Sequence, residues 1–144
     1  MQRKKWVVPV VGMCVFLSQA KSEQVMYGNI QLEDTIVNKD IKVLGRGSAD
    51  RTRFEKDVTV YGMLNASDSQ FMGDLRVNGS DVELVSDQVA GDVHISNYIR
   101  TPKLKLKDTV IQGKVIFHGL KQGKVILDKA SKIIKGVENG VCYD

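Results

Sequence analysis

The sequence predicts a single all-β domain, a three-sided parallel β-solenoid of about six coils of 17–22 residues. Three observations support this prediction. A short unit with an acidic residue, alternating apolar residues and a glycine recurs at nearly constant spacing. Two further sets of apolar residues keep the same phase as this unit. The 13 glycines provide the turns that short strands need, and 144 residues suffice for one modest core.

The repeat unit begins with an acidic residue, continues with apolar residues at alternate positions, and ends with glycine. Its copies are Asp40–Gly45, Asp57–Gly62, Asp74–Gly79, Asp92–Asn97 and Lys114–Gly119. The first three copies are evenly spaced, the fourth starts one position later than this spacing gives, and the fifth follows after a longer interval. Asn97 replaces glycine at one corner, where both residue types tolerate positive φ. Alternation over such short segments predicts β-strands with one buried side.

Two further apolar sets complete each coil. One set stands three residues before each unit and consists of Val37, Phe54, Phe71, Val89 and Ile111. The other lies in mid-coil and pairs Leu64 with Ala66, Val82 with Leu84, Leu104 with Leu106, and Val125 with Leu127. Three short strands per coil describe a three-sided solenoid. Stacking coils about 4.8 Å apart covers the apolar side that a single coil leaves exposed.

A small β-sandwich or barrel is the competing fold, because it also consists of short strands and regular turns. Antiparallel hairpins have no reason to keep a constant phase, however, and here three apolar sets stay in phase. A right-handed solenoid is favoured, because the spacing of the early units breaks the strict hexapeptides that left-handed solenoids usually show. Helical content is expected to be low, and the best helical candidate, Asp128–Lys135, also fits the last coil.

Residues 1–20 are predicted to be a secretory signal peptide rather than part of the fold. A basic stretch, 3–5, precedes an apolar run, 6–17, and small residues stand before a cleavage point after Ala20. The run is too short to span a bilayer comfortably, and an uncleaved anchor is the alternative. The mature chain then has no predicted transmembrane segment. We expect it in the periplasm, at the cell surface or outside the cell.

The mature chain is divided into three parts. Residues 21–38 are expected to form an N-terminal cap or an imperfect first coil, residues 39–136 the solenoid, and residues 137–144 a C-terminal tail. The tail contains Cys142, the only cysteine left after removal of the signal peptide, so an internal disulfide is impossible. Such a thiol in an exported chain indicates either an intermolecular disulfide through Cys142 or a plain free thiol.

The repeat units resemble those of bactofilins, bacterial cytoskeletal proteins that form polymers. The resemblance covers about residues 36–136 and rests on Asp57–Gly62, Asp74–Gly79, Gly73, Gly91 and the segment Gly123–Gly136. It implies a right-handed three-sided β-helix that stacks end to end into filaments without nucleotide. The chain differs from typical bactofilins, which are cytoplasmic, in its secretory leader. It also has a longer coil at Asp92–Gly113, with an insertion around Tyr98–Lys107.

Charge is distributed unevenly along the chain. The net charge is +4, but without residues 1–20 the balance is 18 basic to 17 acidic residues, which does not indicate a nucleic-acid binder. Residues 101–135 contain nine lysines and two aspartates, whereas residues 21–100 contain nine basic and thirteen acidic residues. The candidate polyanion-binding lysines are Lys103, Lys105, Lys107, Lys121, Lys124 and Lys129.

Alternation with leucines places Lys103, Lys105 and Lys107 on one outward side of a strand. Such a patch attracts lipopolysaccharide or acidic glycans through its charge. Alternatively, the lysines only keep the surface soluble and block edge pairing. No aromatic residues interleave with the lysines, so specific nucleic-acid binding is not expected.

The acidic corner residues Asp40, Asp57, Asp74 and Asp92 are predicted to form a ladder along one edge. Stacked carboxylates repel one another unless backbone N–H groups or a cation compensates, and capping of N–H groups is the favoured interpretation. His94 and His118 are far apart in the sequence and lack metal-ligand spacing, and each is expected to be a surface or groove residue. No metal, cofactor or catalytic residue is assigned, because no carboxylate pair or nucleophile–base set stands apart from the repeat.

These observations predict a non-catalytic structural solenoid that is exported and acts by self-assembly or surface presentation. Its partners are then further copies of itself or an envelope component. The alternative is a binding module whose lysine-rich C-terminal coils hold an anionic envelope polymer. An enzyme is not expected, because the coils are minimal and only one sizeable insertion interrupts them.

Overall fold

A computed structural model describes residues 10–11, 15–18 and 23–144 of the chain. These residues form 19 β-strands and no α-helix, so they include no helix that could cross a membrane. From residue 23 onward the strands pair with one another in parallel and stack as a solenoid of about seven turns, which confirms the all-β solenoid fold class. The sequence predicts about six coils, and the seventh turn arises because residues 137–143 add two more strands. The right-handed sense stays a prediction.

Three columns of strands form the three faces. The first face contains the leading parts of β3 (Glu23–Glu33), β5 (Asp40–Asp50) and β7 (Val58–Ser67), then β9 (Leu75–Asn78), β12 (Val93–Ser96), β15 (Val115–His118) and β18 (Val137–Glu138). The second face contains the trailing parts of β3, β5 and β7, then β10 (Asp81–Val85), β13 (Lys103–Lys107), β16 (Gly123–Leu127) and β19 (Gly140–Tyr143). The third face contains β4 (Ile36–Val37), β6 (Arg53–Phe54), β8 (Gln70–Phe71), β11 (Gln88–Val89), β14 (Val110–Ile111) and β17 (Lys132–Ile133).

The N-terminal end differs from the rest because it contains antiparallel pairs. Strands β1 (Val10–Val11) and β2 (Val15–Ser18) pair antiparallel with β3. The predicted signal peptide, residues 1–20, is described only through the backbone of these two strands. The predicted cleavage point after Ala20 lies outside the described residues.

Parallel register places equivalent residues of successive coils above one another. On the first face, for example, Val58, Leu75, Val93 and Val115 share one inward column. All three predicted apolar sets point inward and pack into one core. On the third face, the Phe54 and Phe71 rings stack with centroids 4.9 Å apart. Each fully buried Val, Leu, Ile or Phe contributes about 1.5–3 kcal/mol, so these columns are the main source of stability.

In the first three coils the chain passes from the first face to the second at a glycine. β3, β5 and β7 each run through this corner, at Gly28, Gly45 and Gly62. Gly62 has a φ of 147°, and a Cβ there would overlap the carbonyl oxygen of Gly45 in the preceding coil. Glycine is therefore required at this position both by the backbone conformation and by the close approach of stacked coils.

The aspartate ladder lies at the start of the first face. Through Oδ1, Asp40, Asp57, Asp74 and Asp92 each accept the backbone N–H of the equivalent residue in the next coil, at 2.8–3.1 Å. The capping interpretation is confirmed, and the capped N–H belongs to the adjacent coil. Arg76 adds positive charge, with guanidinium nitrogens 3.5 Å from Asp57 and 3.6 Å from Asp74. The ladder ends at Lys114, whose ammonium pairs instead with Glu138 at 2.7 Å.

A second ladder, not predicted from the sequence, is buried at the corner between the second and third faces. Its members are Thr35, Thr52, Ser69, Asp87, Thr109 and Ser131. The Ser69 hydroxyl shows the pattern, because it donates to the Ser67 carbonyl at 2.9 Å and accepts the Thr52 N–H at 3.2 Å. These bonds tie neighbouring coils together and satisfy polar groups inside the corner.

Asp87 is the one carboxylate in this buried ladder. It is 1% exposed, and its two oxygens accept the N–H groups of Ser69 at 2.7 Å and Val85 at 3.1 Å. Burial is the main cause that raises the pKa of Asp87 to about 7, because an ionised carboxylate loses its hydration there. Asp87 therefore makes this corner sensitive to pH.

The insertion in the longer coil is shorter than the sequence analysis predicts. Residues 103–107 are strand β13, in register with β10 of the preceding coil. The insertion therefore lies within the loop Asn97–Pro102 and does not extend to Lys107, because the alternation of lysine and leucine continues the regular second face. It forms a loop at the corner between the first and second faces.

Candidate functional site

The six candidate polyanion-binding lysines lie on the second face and at its borders. Lys103, Lys105 and Lys107 project from β13 with exposed side chains. Lys124 lies on β16 directly beside Lys103 in register. Lys121 precedes β16 and Lys129 follows it, and both are exposed. The structure therefore places the six lysines on and around two neighbouring strands, and we term them the lysine patch.

The lysine patch has an acidic border and unpaired amines. Asp81 and Glu83 of β10 are in register with Lys103 and Lys105. Within the part of the chain that the structure describes, none of the six amines forms a salt bridge. The Lys124 ammonium lies 6.0 Å from the centroid of the Tyr143 ring. The positive charge of the patch is therefore open to solution.

Cys142 lies on β19 in the last turn. In register it follows Val125, a member of the inward column of the second face. Its thiol is nevertheless free and exposed, because no further coil covers this end within the described residues. A second molecule can therefore reach the thiol at the end of the core column.

A groove of about 350 Å³, not predicted from the sequence, crosses the first face. Its lining residues are Thr59, Tyr61, Arg76, Val77, Asn78, His94, Ser96, Tyr98 and His118. We term it the His groove. Tyr61, Asn78, Ser96 and His118 share one outward column, and Thr59, Arg76 and His94 share the neighbouring column. The groove therefore extends over four successive coils.

The structure brings the two histidines of the chain together in this groove. Their rings stack with centroids 5.4 Å apart and an interplanar angle of 13°, and His94 Nδ1 lies 3.1 Å from His118 Nε2. One nitrogen donates and the other accepts, so at most one ring is protonated in this contact. Desolvation is the main cause that lowers the pKa of His94, and the charges of Arg76 and His118 add to it.

The sequence does contain a signal that these two histidines are neighbours, although they lack metal-ligand spacing. One coil in this region leads from His94 to Ile116, its partner in register, and His118 stands two positions beyond Ile116. A shift of two positions along a strand leads to the next side chain on the same face. In a solenoid, therefore, residues separated by one coil length plus or minus two are neighbours on one surface.

The loop Asn97–Pro102, which contains the insertion, borders the His groove. Asn97 Oδ1 accepts the N–H groups of Ile99 at 2.9 Å and Arg100 at 2.7 Å, which holds the start of the loop in a defined turn. Tyr98 lines the groove with 65% of its surface exposed. The loop that interrupts the repeat thus places an aromatic ring at the groove.

A second groove, of about 450 Å³, lies on the second face of the first four coils. It is lined by Gln31, Leu32, Glu33, Ser48, Ala49, Asp50, Asn65, Ala66, Ser67, Glu83 and Val85. Carboxylates and small side chains dominate it, and none of these eleven described residues is aromatic. Across residues 23–144, no three His, Cys, Asp or Glu side chains are grouped so that they could hold a metal ion.

Comparison with known proteins gave no match: no protein-family model, no curated protein and no solved structure is significantly similar to the chain. The resemblance to bactofilins therefore rests on the repeat units themselves. A parallel β-solenoid is compatible with that resemblance.

Proposed function

We propose that the protein is an exported, non-catalytic structural solenoid that assembles with further copies of itself. The observation that carries this proposal is the outer edge of the last turn that the structure describes. β17, β18 and β19 are the outermost strands of their columns, so their outer edges have no partner among the described residues. A row of unpaired backbone groups is a template for pairing with another chain.

Side chains at this end favour the same conclusion. Ile133 and Val137 pack against the end of the core and are only partly buried. Tyr143 is 48% exposed, and Cys142 occupies an inward position that none of the described coils covers. Stacking a second solenoid on this end would bury these apolar groups and continue the hydrogen-bond ladders.

If the chain is exported as predicted, cleavage of the signal peptide would change the N-terminal end of the solenoid. There β1 and β2 occupy the outer edge of β3, and both strands lie within the predicted signal peptide. Cleavage after Ala20 would remove them and free that edge. The outer edge of β3 would then be available for stacking, as the outer edge of β4 already is. The bactofilin-like repeat units support the same mode of assembly.

The first experiment is light scattering with negative-stain electron microscopy on the full chain and on residues 21–144, with and without reductant. Filaments or large assemblies of residues 21–144 in both conditions are expected. Labelling Cys142 with a bulky maleimide should abolish them, because the label covers the end of the core. The Cys142→Ser variant, treated with the same reagent, should still assemble.

Two outcomes would overturn the assembly proposal. One is a compact monomer of residues 21–144 with and without reductant. The other is a dimer that dissociates in reductant and grows no further, which would leave Cys142 as a disulfide link and not as part of a stacking surface.

A second candidate function is binding of an anionic envelope polymer, and the lysine patch favours it because its six amines form no salt bridge with the described residues. Lysine supplies charge without the bidentate geometry of arginine, so this binding should be strong only at low salt. The triple variant Lys103→Gln, Lys105→Gln, Lys107→Gln should lose binding to lipopolysaccharide vesicles. The matched variant Lys39→Gln, Lys42→Gln, Lys56→Gln removes the same amount of charge from the acidic half of the chain. It should still bind the vesicles. Equal loss in both variants would contradict a specific patch.

A further inference from the structure

The His groove is a concave surface that lies where the fifth coil departs from the minimal repeat. The preceding coils connect the first and second faces through a short corner, whereas the fifth coil has the longer loop Asn97–Pro102 there. Loops positioned by a rigid scaffold commonly carry binding residues. The coincidence of insertion and groove therefore points to a ligand and not to a packing requirement.

The groove combines exposed aromatic rings with neutral hydrogen-bonding groups. Tyr98 is 65% exposed and Tyr61 is 42% exposed. Asn78 and Ser96 follow Tyr61 in the same outward column. Aromatic rings pack against apolar C–H surfaces, while amide, hydroxyl and imidazole groups pair with hydroxyls. A sugar presents both kinds of surface, C–H groups on one side and hydroxyls around the rim.

Charge in the groove is compensated locally. The Arg76 guanidinium lies between the carboxylates of Asp57 and Asp74, at 3.5 and 3.6 Å. The hydrogen-bonded histidine pair carries at most one positive charge, and desolvation is the main cause that lowers the pKa of His94. An anionic ligand would therefore find little uncompensated positive charge here, in contrast to the lysine patch. A neutral ligand fits better.

The extent of the groove indicates a ligand longer than one ring. Its outward column runs over four coils that are stacked about 4.8 Å apart. Polar side chains thus repeat along the solenoid axis, and a polymer of repeating units can meet several of them in succession.

We propose that the His groove binds a neutral glycan chain, which packs on Tyr98 and hydrogen-bonds to the Asn78, Ser96 and His118 column. This binding site goes beyond the proposed assembly and does not depend on it. It lies on a side face, so both a monomer and a stacked filament would present it. In a filament the groove would repeat once per copy and raise the avidity for a long polysaccharide.

The test is calorimetric titration of the full chain with neutral hexasaccharides of β-1,4-glucose, β-1,3-glucose and β-1,4-N-acetylglucosamine, beside acidic hexagalacturonate. At least one neutral hexasaccharide should bind with an affinity that is insensitive to salt. Tyr98→Ala should weaken it about fivefold or more, as expected for loss of one aromatic packing contact. Tyr98→Phe keeps the ring and should retain binding.

Tyr27→Ala is the matched control, because Tyr27 is 41% exposed on the same face but lies outside the groove. It should bind as the parent does. The proposal is overturned if no neutral hexasaccharide binds at millimolar concentration, or if Tyr98→Ala and Tyr27→Ala have the same effect. Binding of hexagalacturonate alone, lost at high salt, would also overturn it and would assign the interaction to the lysine patch. None of these results bears on whether the ends assemble.

Discussion

The first three coils and the later coils share one apolar pattern but treat their corners differently. In the early coils the number of residues per coil is constant and equals the separation of Gly45 and Gly62. Each long strand there runs through a glycine corner. In the later coils the step is longer, as from Val93 to Val115, and the strands stop at the corner. The later coils contain both histidines, the loop Asn97–Pro102, the lysine patch and the last described turn with Cys142. The coils of constant length thus form the regular scaffold. The candidate binding surfaces lie mainly where the coil length changes.

The largest expected effect comes from the tight corner of the early coils. Gly62→Ala places a Cβ against the Gly45 carbonyl oxygen at a φ that alanine rarely adopts. We expect a loss of about 5 kcal/mol in the free energy of unfolding, from backbone strain and overlap together. Urea unfolding followed by circular dichroism measures it.

Gly47→Ala is the matched control in the same region. Its Cβ would lie 3.5 Å from Leu64 Cδ1, an ordinary contact, and its φ is not positive. We expect its stability to stay within about 1 kcal/mol of the parent, since alanine also reduces the entropy of the unfolded chain. Similar losses for both variants would show that stacking distance at the corner is not the constraint.

The sequence alone predicts the solenoid because the core depends on a pattern that the chain repeats. Val37, Phe54 and Phe71, for instance, recur at equal spacing and form one inward column. Parallel stacking then follows, since only equal spacing keeps such columns in register. The aspartate ladder could be predicted for the same reason.

Surface neighbours were harder to predict because they depend on coil length, which changes along the chain. The His94–His118 contact needs the knowledge that its coil is longer than the early ones. The buried ladder did have a signal, because a Ser, Thr or Asp stands two residues before every member of the third-face apolar set, as Thr35 does before Val37. Polar residues at a turn are normally exposed, so this signal is easily assigned to solvent.

The buried ladder gives the next largest effect, at the boundary between the early and later coils. Asp87 has an ordinary pKa of 3.8 and a native pKa of about 7. The native state therefore binds the proton more tightly, and stability falls as pH rises from about 4 to about 7, by at most about 4 kcal/mol. Asp87→Ser restores the hydroxyl found in the neighbouring coils and should flatten this slope in urea unfolding at a series of pH values.

Asp81→Ser is the control for Asp87→Ser, because Asp81 is an exposed carboxylate of the same coil. It should leave the slope unchanged. His94, whose pKa is lowered, adds stability as pH rises, so its slope has the opposite sign. Both variants retain His94, so its contribution cancels when their slopes of stability against pH are subtracted. A slope that persists in Asp87→Ser would contradict the assignment to Asp87.

The smallest expected effect comes from the aspartate caps, which the early and the later coils share. Asp57 caps the Asp74 N–H in the early coils, and Asp92 caps the Lys114 N–H in the later coils, both at 2.8 Å. Asp57→Ala and Asp92→Ala should each lose about 1–2 kcal/mol, because a partly buried N–H is left without an acceptor.

The asparagine variants at both positions keep an oxygen acceptor and separate capping from charge. Asp57→Asn and Asp92→Asn should stay within about 0.5 kcal/mol of the parent, since exposed ion pairs such as that of Asp57 with Arg76 contribute little. Equal losses for the two alanine variants in urea unfolding would mean that capping belongs to the scaffold and survives the change in coil length. A loss at Asp57 but none at Asp92 would mean that the longer coils have relaxed at this corner, and that the early coils alone determine the register.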